Sequence, residues 1–179
     1  MQKIEFEGET YYYINGRFTD SSFIEVDIGL RSKLAEKVFT NVDYKCKSQA
    51  ELVDYLKELK EAEVYSLAKE VCLFCLEKYS EDDYLIRTVL PILTSCYRKI
   101  GQPSKAIELL KIYPSIYNQH GSVALLTSLA AAFCDVGDYI NARKYANIAY
   151  ARQGGGTGEK NELSLVYMRI KKEFGEEEK

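Results

Sequence analysis

The pattern of apolar and polar positions changes character near residue 28. Before it, the alternation has the two-residue period of a strand. Ile4 and Phe6 stand between charges, and Tyr11, Tyr12, Tyr13 and Ile14 run into Asn15-Gly16, followed by Arg17-Phe18-Thr19. Asn-Gly suits a type I′ hairpin turn because both positions need positive φ. Glu7-Gly8 reads as an earlier turn. The segment predicts a two- or three-stranded meander ending around Phe23-Ile24-Glu25-Val26. Such a small sheet is marginal alone, so it is expected to pack on helices. Tyr12 should face opposite to Tyr11 and Tyr13, leaving one aromatic face partly exposed.

From residue 28 onward apolar residues recur at three- and four-residue spacing, the mark of amphipathic helices. Leu30, Leu34, Val38 and Phe39 give a first helix. Ser48 with Glu51 has capping-box spacing and opens a second, striped by Leu52, Tyr55, Leu56 and Leu59. Its partner carries Leu67, Val71, Leu73, Phe74 and Leu76. Further pairs are predicted at roughly 82–100 with 103–112 and 121–136 with 139–151, and a last helix at roughly 160–174. Pro91 should kink its helix or mark its true start, and Pro114 should end its helix early. The division is thus 1–28 for the meander and 29–179 for the helices.

The helical part repeats itself. Leu93, Tyr97, Gly101, Ala106 and Leu110 align with Leu129, Phe133, Gly137, Ala142 and Ala146 at a 36-residue offset, with Ala149 extending the second set. At these positions the chain resembles the tetratricopeptide repeat family: an aromatic on the first helix, a turn glycine, and a small residue on the second helix. Glycine accepts left-handed geometry, and alanine lets two helices approach closely. An earlier unit is weaker: Ala68 holds the small position, but its turn is Ala62-Glu63-Val64, without glycine. The terminal stripe Leu163, Val166, Tyr167 and Ile170 matches half of a further unit, expected to cap the stack. The resemblance covers roughly residues 48–174 and implies a mostly α fold. It would be an α-α superhelix, a right-handed solenoid of about three helix pairs plus a capping helix, carrying the small N-terminal β-meander.

Composition narrows the function classes. The chain has 179 residues, 46% apolar, enough for a sizeable core. Charged residues make up 28%, with a net charge of −3, so no single-sign field favours nucleic acid or an anionic membrane. No run approaches a membrane span, and no secretory h-region follows Met1. An odd set of five cysteines, four of them in apolar helical patterns, points to reduced, buried thiols and a cytoplasmic location.

Candidate chemistry is sparse. Cys72-Leu73-Phe74-Cys75 is a CxxC, but it lies mid-helix among apolar residues, with no second pair to complete a metal site. Packing of two small hydrophobes is the expected role. Gly154-Gly155-Gly156-Thr157-Gly158-Glu159-Lys160 lacks the GxxxxGK[ST] spacing of a phosphate loop, and reads as a flexible connection. A nucleophilic dyad would have to use His120, the only histidine, placed in an apparent inter-helix loop. Glu61/Glu63 and Asp82/Asp83 read as solvated faces and helix-start charges. No enzyme, cofactor or metal is expected.

The expected role is a protein-interaction module or scaffold, binding a peptide or partner protein in a groove formed by the first helix of each pair. Carried over in the family's register, that groove would be lined by Val53, Asp54, Lys57 and Lys60, by Ile92, Ser95, Arg98 and Lys99, by Thr127, Ser128, Ala131 and Asp135, and by Leu165 and Met168. Lys57, Lys60, Arg98 and Lys99 would favour an acidic peptide. Co-chaperone members of the family clamp a C-terminal carboxylate at positions that here are Val53, Lys57, Ile92, Ala124 and Ser128, and none matches. Tyr11, Tyr12 and Tyr13 form a second candidate interface, and homodimerisation through that sheet or the uncapped face stays open. The alternative reading is a regulatory sensor that binds a short peptide or small ligand.

Overall fold

The computed structural model describes residues 1–153 and 162–174, and the chain divides into two compact units, Met1–Lys78 and Tyr79–Lys179. It is mostly helical, with a three-stranded antiparallel sheet at the N-terminus.

The first unit opens with the predicted meander, β1 (Gln2–Phe6), β2 (Glu9–Ile14) and β3 (Arg17–Thr19), in that spatial order. Glu7-Gly8 and Asn15-Gly16 both take positive φ, at 52° with 87° and 49° with 80°, so each two-residue loop turns as its sequence predicts. A fourth strand does not follow. Residues near Glu25 add an isolated bridge to Thr19, a bond from Val26 N to Phe18 O and one from Asp20 N to Ile24 O. The alternation of β2 holds: Tyr13 packs on Phe18 and Phe39, with ring centroids 4.7 and 5.5 Å away, whereas Tyr12 stacks on Phe23 at 5.4 Å.

Three helices complete this unit: α1 (Ile28–Phe39), α2 (Gln49–Glu61) and α3 (Tyr65–Lys78). The Ser48–Glu51 capping box forms in full. Leu52, Tyr55, Leu56 and Leu59 are all buried, as their spacing predicts. In α3 the buried stripe is Ala68, Val71, Cys72, Cys75 and Leu76, while Leu73 is 41% exposed and leaves the core.

The second unit is helical throughout its described residues: α4 (Asp83–Lys99), α5 (Pro103–Ile112), α6 (Pro114–Gln119), α7 (Val123–Asp135), α8 (Tyr139–Arg152) and α9 (Glu162–Phe174). Helix α4 packs on α5 and on α7, and α7 packs in turn on α8 and α9. Successive antiparallel pairs therefore stack through their first helices, an arrangement compatible with a helical solenoid. Pro91 lies inside α4 and does not start it, because Asp82 caps the helix through Leu85 N at 2.9 Å. Pro114 both stops α5 and supplies the first residue of α6, where a missing N–H leaves nothing unsatisfied.

The aligned repeat positions do equivalent work. Ala106 and Ala142 are fully buried, and Tyr97 and Phe133 nearly so. Gly101 (φ 75°) and Gly137 (φ 79°) close their pairs with the same two bonds, Gln102 N to Tyr97 O with Gly101 N to Arg98 O, and Asp138 N to Phe133 O with Gly137 N to Cys134 O. That is the Schellman arrangement. The α2–α3 turn makes it too, through Val64 N to Leu59 O and Glu63 N to Lys60 O, with Glu63 itself at φ 61°.

Candidate functional site

In the second unit the aligned register brings residues of three helices together. Arg98 of α4 donates from Nε to Asp135 Oδ2 of α7 at 2.9 Å, and from Nη1 to Glu162 Oε1 of α9 at 2.6 Å. Arg169 of α9 reaches the other oxygen of Asp135 at 2.8 Å. The Arg98 side chain is only 11% exposed. Two cations and two carboxylates thus form one charge-balanced chain across α4, α7 and α9.

This changes what the expected groove residues offer. Arg98 is committed to Asp135 and Glu162 and does not await an acidic ligand. Thr127 and Ser128 are 4% exposed and pack inside the unit, so neither lines an open surface. The helix spacing alone did not separate the row's outer side from the contact side of α7, which is buried along nearly its whole length. Ser95 is half-buried and Lys99 exposed on α4. Lys57 and Lys60 stand exposed on α2 in the first unit, and Lys57 pairs with Asp54 at 2.8 Å. The end of the row is apolar: Leu165 and Met168, one helical turn apart on α9, are 53% and 67% exposed, while Leu163, Val166 and Ile170 face inward.

The first unit contains a cleft of about 470 Å³ between α1 and the start of α3. Ala35, Ala62 and Leu67 give it an apolar base, and Glu36, Glu63 and Glu70 bring carboxylates to it. Sequence reasoning placed Glu61 and Glu63 on a solvated face, and both are used. The Glu61 side chain abuts the β2–β3 turn, where a Cβ on Gly16 would come within 2.9 Å of its Oε2. Glu63 lies 3.8 Å from Arg31 Nη1, while Arg31 Nη2 donates to Glu61 O at 2.7 Å. The one signal that could have singled out Glu63 is the glycine missing from its turn.

Tyr11, Tyr12 and Tyr13 are half-buried on β2, where Phe23 covers part of Tyr12. Beside them Phe23, Ile24 and Ile28 are 61%, 65% and 76% exposed. Cys72 and Cys75 are both fully buried in α3, and burial pushes the Cys75 thiol up to about 11. His120 is exposed at the end of α6. Among the described residues no three His, Cys, Asp or Glu side chains are grouped to hold a metal ion, and no helix is long and apolar enough to cross a membrane. The phosphate-loop look-alike at 154–160 lies outside the described residues. A comparison with family models, with curated proteins and with solved structures finds no match for the chain.

Proposed function

We propose that the protein is a non-enzymatic interaction module of tetratricopeptide type, and that a peptide or partner protein lies along the row α4–α7–α9. The observation that carries this reading is the Arg98–Asp135–Arg169 contact, with Glu162 joined to Arg98. It ties the first helices of successive pairs into one continuous face, the kind of extended surface stacked helix pairs use for binding. Arg98 and Arg169 on that face are neutralised in place, so recognition rests on shape and on the exposed Leu165 and Met168 more than on those two cations.

Photo-crosslinking in the source cell tests this. A benzophenone side chain at Leu165 or Lys99 is expected to capture one defined partner. The same probe at Lys105 of α5 or Arg143 of α8 should not. Loss of that product on Met168→Glu would place the partner on the row. Equal capture from α5 and α8, or none from the row, would sink the reading.

A further inference from the structure

We propose that the exposed side of α9 is a contact between two copies of this chain, their α9 helices meeting antiparallel about a two-fold axis. This rests on the reading of the α4–α7–α9 row as an interaction surface, and it names the partner that covers the α9 side of that row.

Helix α9 has two unlike sides. At about 100° per residue, Leu163, Val166 and Ile170 share the side packed into the second unit, and all three are buried. Leu165 and Met168 lie roughly opposite, 53% and 67% exposed. Being one turn apart, they form a single apolar stripe. Glu162 and Arg169 are seven residues apart, so they flank that stripe along one edge. Both keep surface to spare after their contacts within the unit: Glu162 is 48% exposed beside Arg98, and Arg169 is 40% exposed beside Asp135.

The order of these charges selects the occupant. A two-fold axis beside the middle of α9 sets Leu165 against Met168 of the second copy, and Met168 against its Leu165. The same rotation brings Glu162 to Arg169 of the second copy, and does so twice, because the acid stands at the N-terminal end of the edge and the base seven residues on. A parallel pair would set Glu162 against Glu162 and Arg169 against Arg169. A wholly acidic or wholly basic helix would meet one like charge. The edge of α9 is therefore its own charge complement when reversed. Thirteen residues span about 20 Å, which makes the contact small and the expected dimer reversible, in the micromolar range.

Sedimentation equilibrium of the full chain at 0.15 M salt, from about 1 to 300 µM, tests this. A monomer–dimer equilibrium is expected. Met168→Glu should weaken it by about tenfold or more with the melting temperature unchanged, because that side chain is exposed in the single copy. Ile140→Glu, at a 75% exposed apolar position on α8, should leave it unaltered. Glu162→Arg and Arg169→Glu each bring like charges together, and each should weaken self-association. Mixed one to one, those two variant chains regain both opposite-charge pairs, so a heterodimer should form more tightly than either chain alone associates. Damage to either fold cannot produce that recovery. The proposal is overturned if the chain is monomeric throughout, if Ile140→Glu dissociates it as far as Met168→Glu, or if the mixture is no tighter than its components. A monomer whose Lys99 probe still captures one other protein sinks this proposal and leaves the reading of the row standing, whereas a monomer captured by nothing sinks both.

Discussion

Arg98 and Asp135 sit 37 positions apart and meet at 2.9 Å, with Arg98 nearly buried between α7 and α9. Neither residue can be judged alone. Removing the guanidinium leaves Asp135 with only Arg169, and leaves Glu162 without its Arg98 partner. Arg98→Met is therefore expected to cost about 1–2 kcal/mol. In a double-mutant cycle with Asp135→Asn, the coupling should be about 1 kcal/mol, and it should shrink in 1 M salt. A zero coupling at low salt would mean that the contact contributes nothing.

The three turns with Schellman bonding predict opposite signs for adding a Cβ and for removing one. Gly101→Ala and Gly137→Ala put a Cβ where φ is 75° and 79°, and each should lose about 1 kcal/mol. Nothing lies within 4 Å of either Cβ position, so the loss is conformational and not steric. Glu63→Gly relieves the same conformation and should gain roughly 0.5–1 kcal/mol. Urea unfolding of the three variants checks the signs. A loss in Glu63→Gly would show that its side-chain contacts outweigh the strain.

How much of this was legible follows from what each feature depends on. Tyr97, Gly101 and Ala106 are local requirements of one helical hairpin, so their spacing announced the pairs. Ser48 with Glu51 and Asn15-Gly16 are equally local, and both form as read. Arg98 was read as a groove cation, but its partners lie 37 and 64 positions away, and no periodicity records them. Thr127 and Ser128 were misjudged because α7 is buried almost all round, which erases the polar stripe that would have oriented it. Helix α6 was missed because six residues are too few for a period, although Pro114 at its first position was a usable start signal. The cleft was invisible, since its carboxylates come from α1, the α2–α3 turn and α3.

Helix α6 makes itself felt through Tyr117, whose hydroxyl lies 2.8 Å from Thr94 Oγ1 in the core of the second unit. The two ends are not equivalent. Thr94 also donates to Leu90 O at 2.7 Å, so Tyr117→Phe leaves it satisfied. Thr94→Val instead strands a buried phenol. Thr94→Val should cost about 1–3 kcal/mol and Tyr117→Phe about 1 kcal/mol or less. Chemical denaturation of the pair measures the asymmetry, and equal losses would count against this account.

The five thiols should divide by exposure. Cys46 is exposed, whereas Cys72, Cys75, Cys96 and Cys134 are buried. Its bond to Asp43 Oδ2 at 3.1 Å keeps the Cys46 thiol protonated and pushes its pKa up. A disulfide-exchange reagent at pH 8 should therefore modify one thiol in the native protein, slowly, and all five in urea. Cys46→Ser should abolish the native reaction. Modification of Cys72 or Cys75 under native conditions would reopen a reactive role for the CxxC.

Alkaline pH tests the packing of the first unit. Tyr55 is buried in α2 and donates its hydroxyl to Phe39 O of α1 at 3.0 Å. Burial, with Glu58 and Tyr44 nearby, raises its pKa from 10.0 to about 12. The folded state thus holds a proton that the unfolded chain releases above pH 10. Stability from this group is intact below pH 10 and declines as pH rises to about 12, by on the order of 2 kcal/mol. Cys75 declines earlier, between its ordinary 9.0 and about 11, so the two must be separated by variant. At pH 8, Tyr55→Phe should be about 1 kcal/mol less stable than wild type, having lost the bond to Phe39. Because phenylalanine has no proton to lose, that gap should close and then reverse between pH 10 and 12. Urea midpoints for both proteins at pH 8, 10 and 11.5 measure it. A gap that stays constant across that range would show that Tyr55 is not held protonated by the fold.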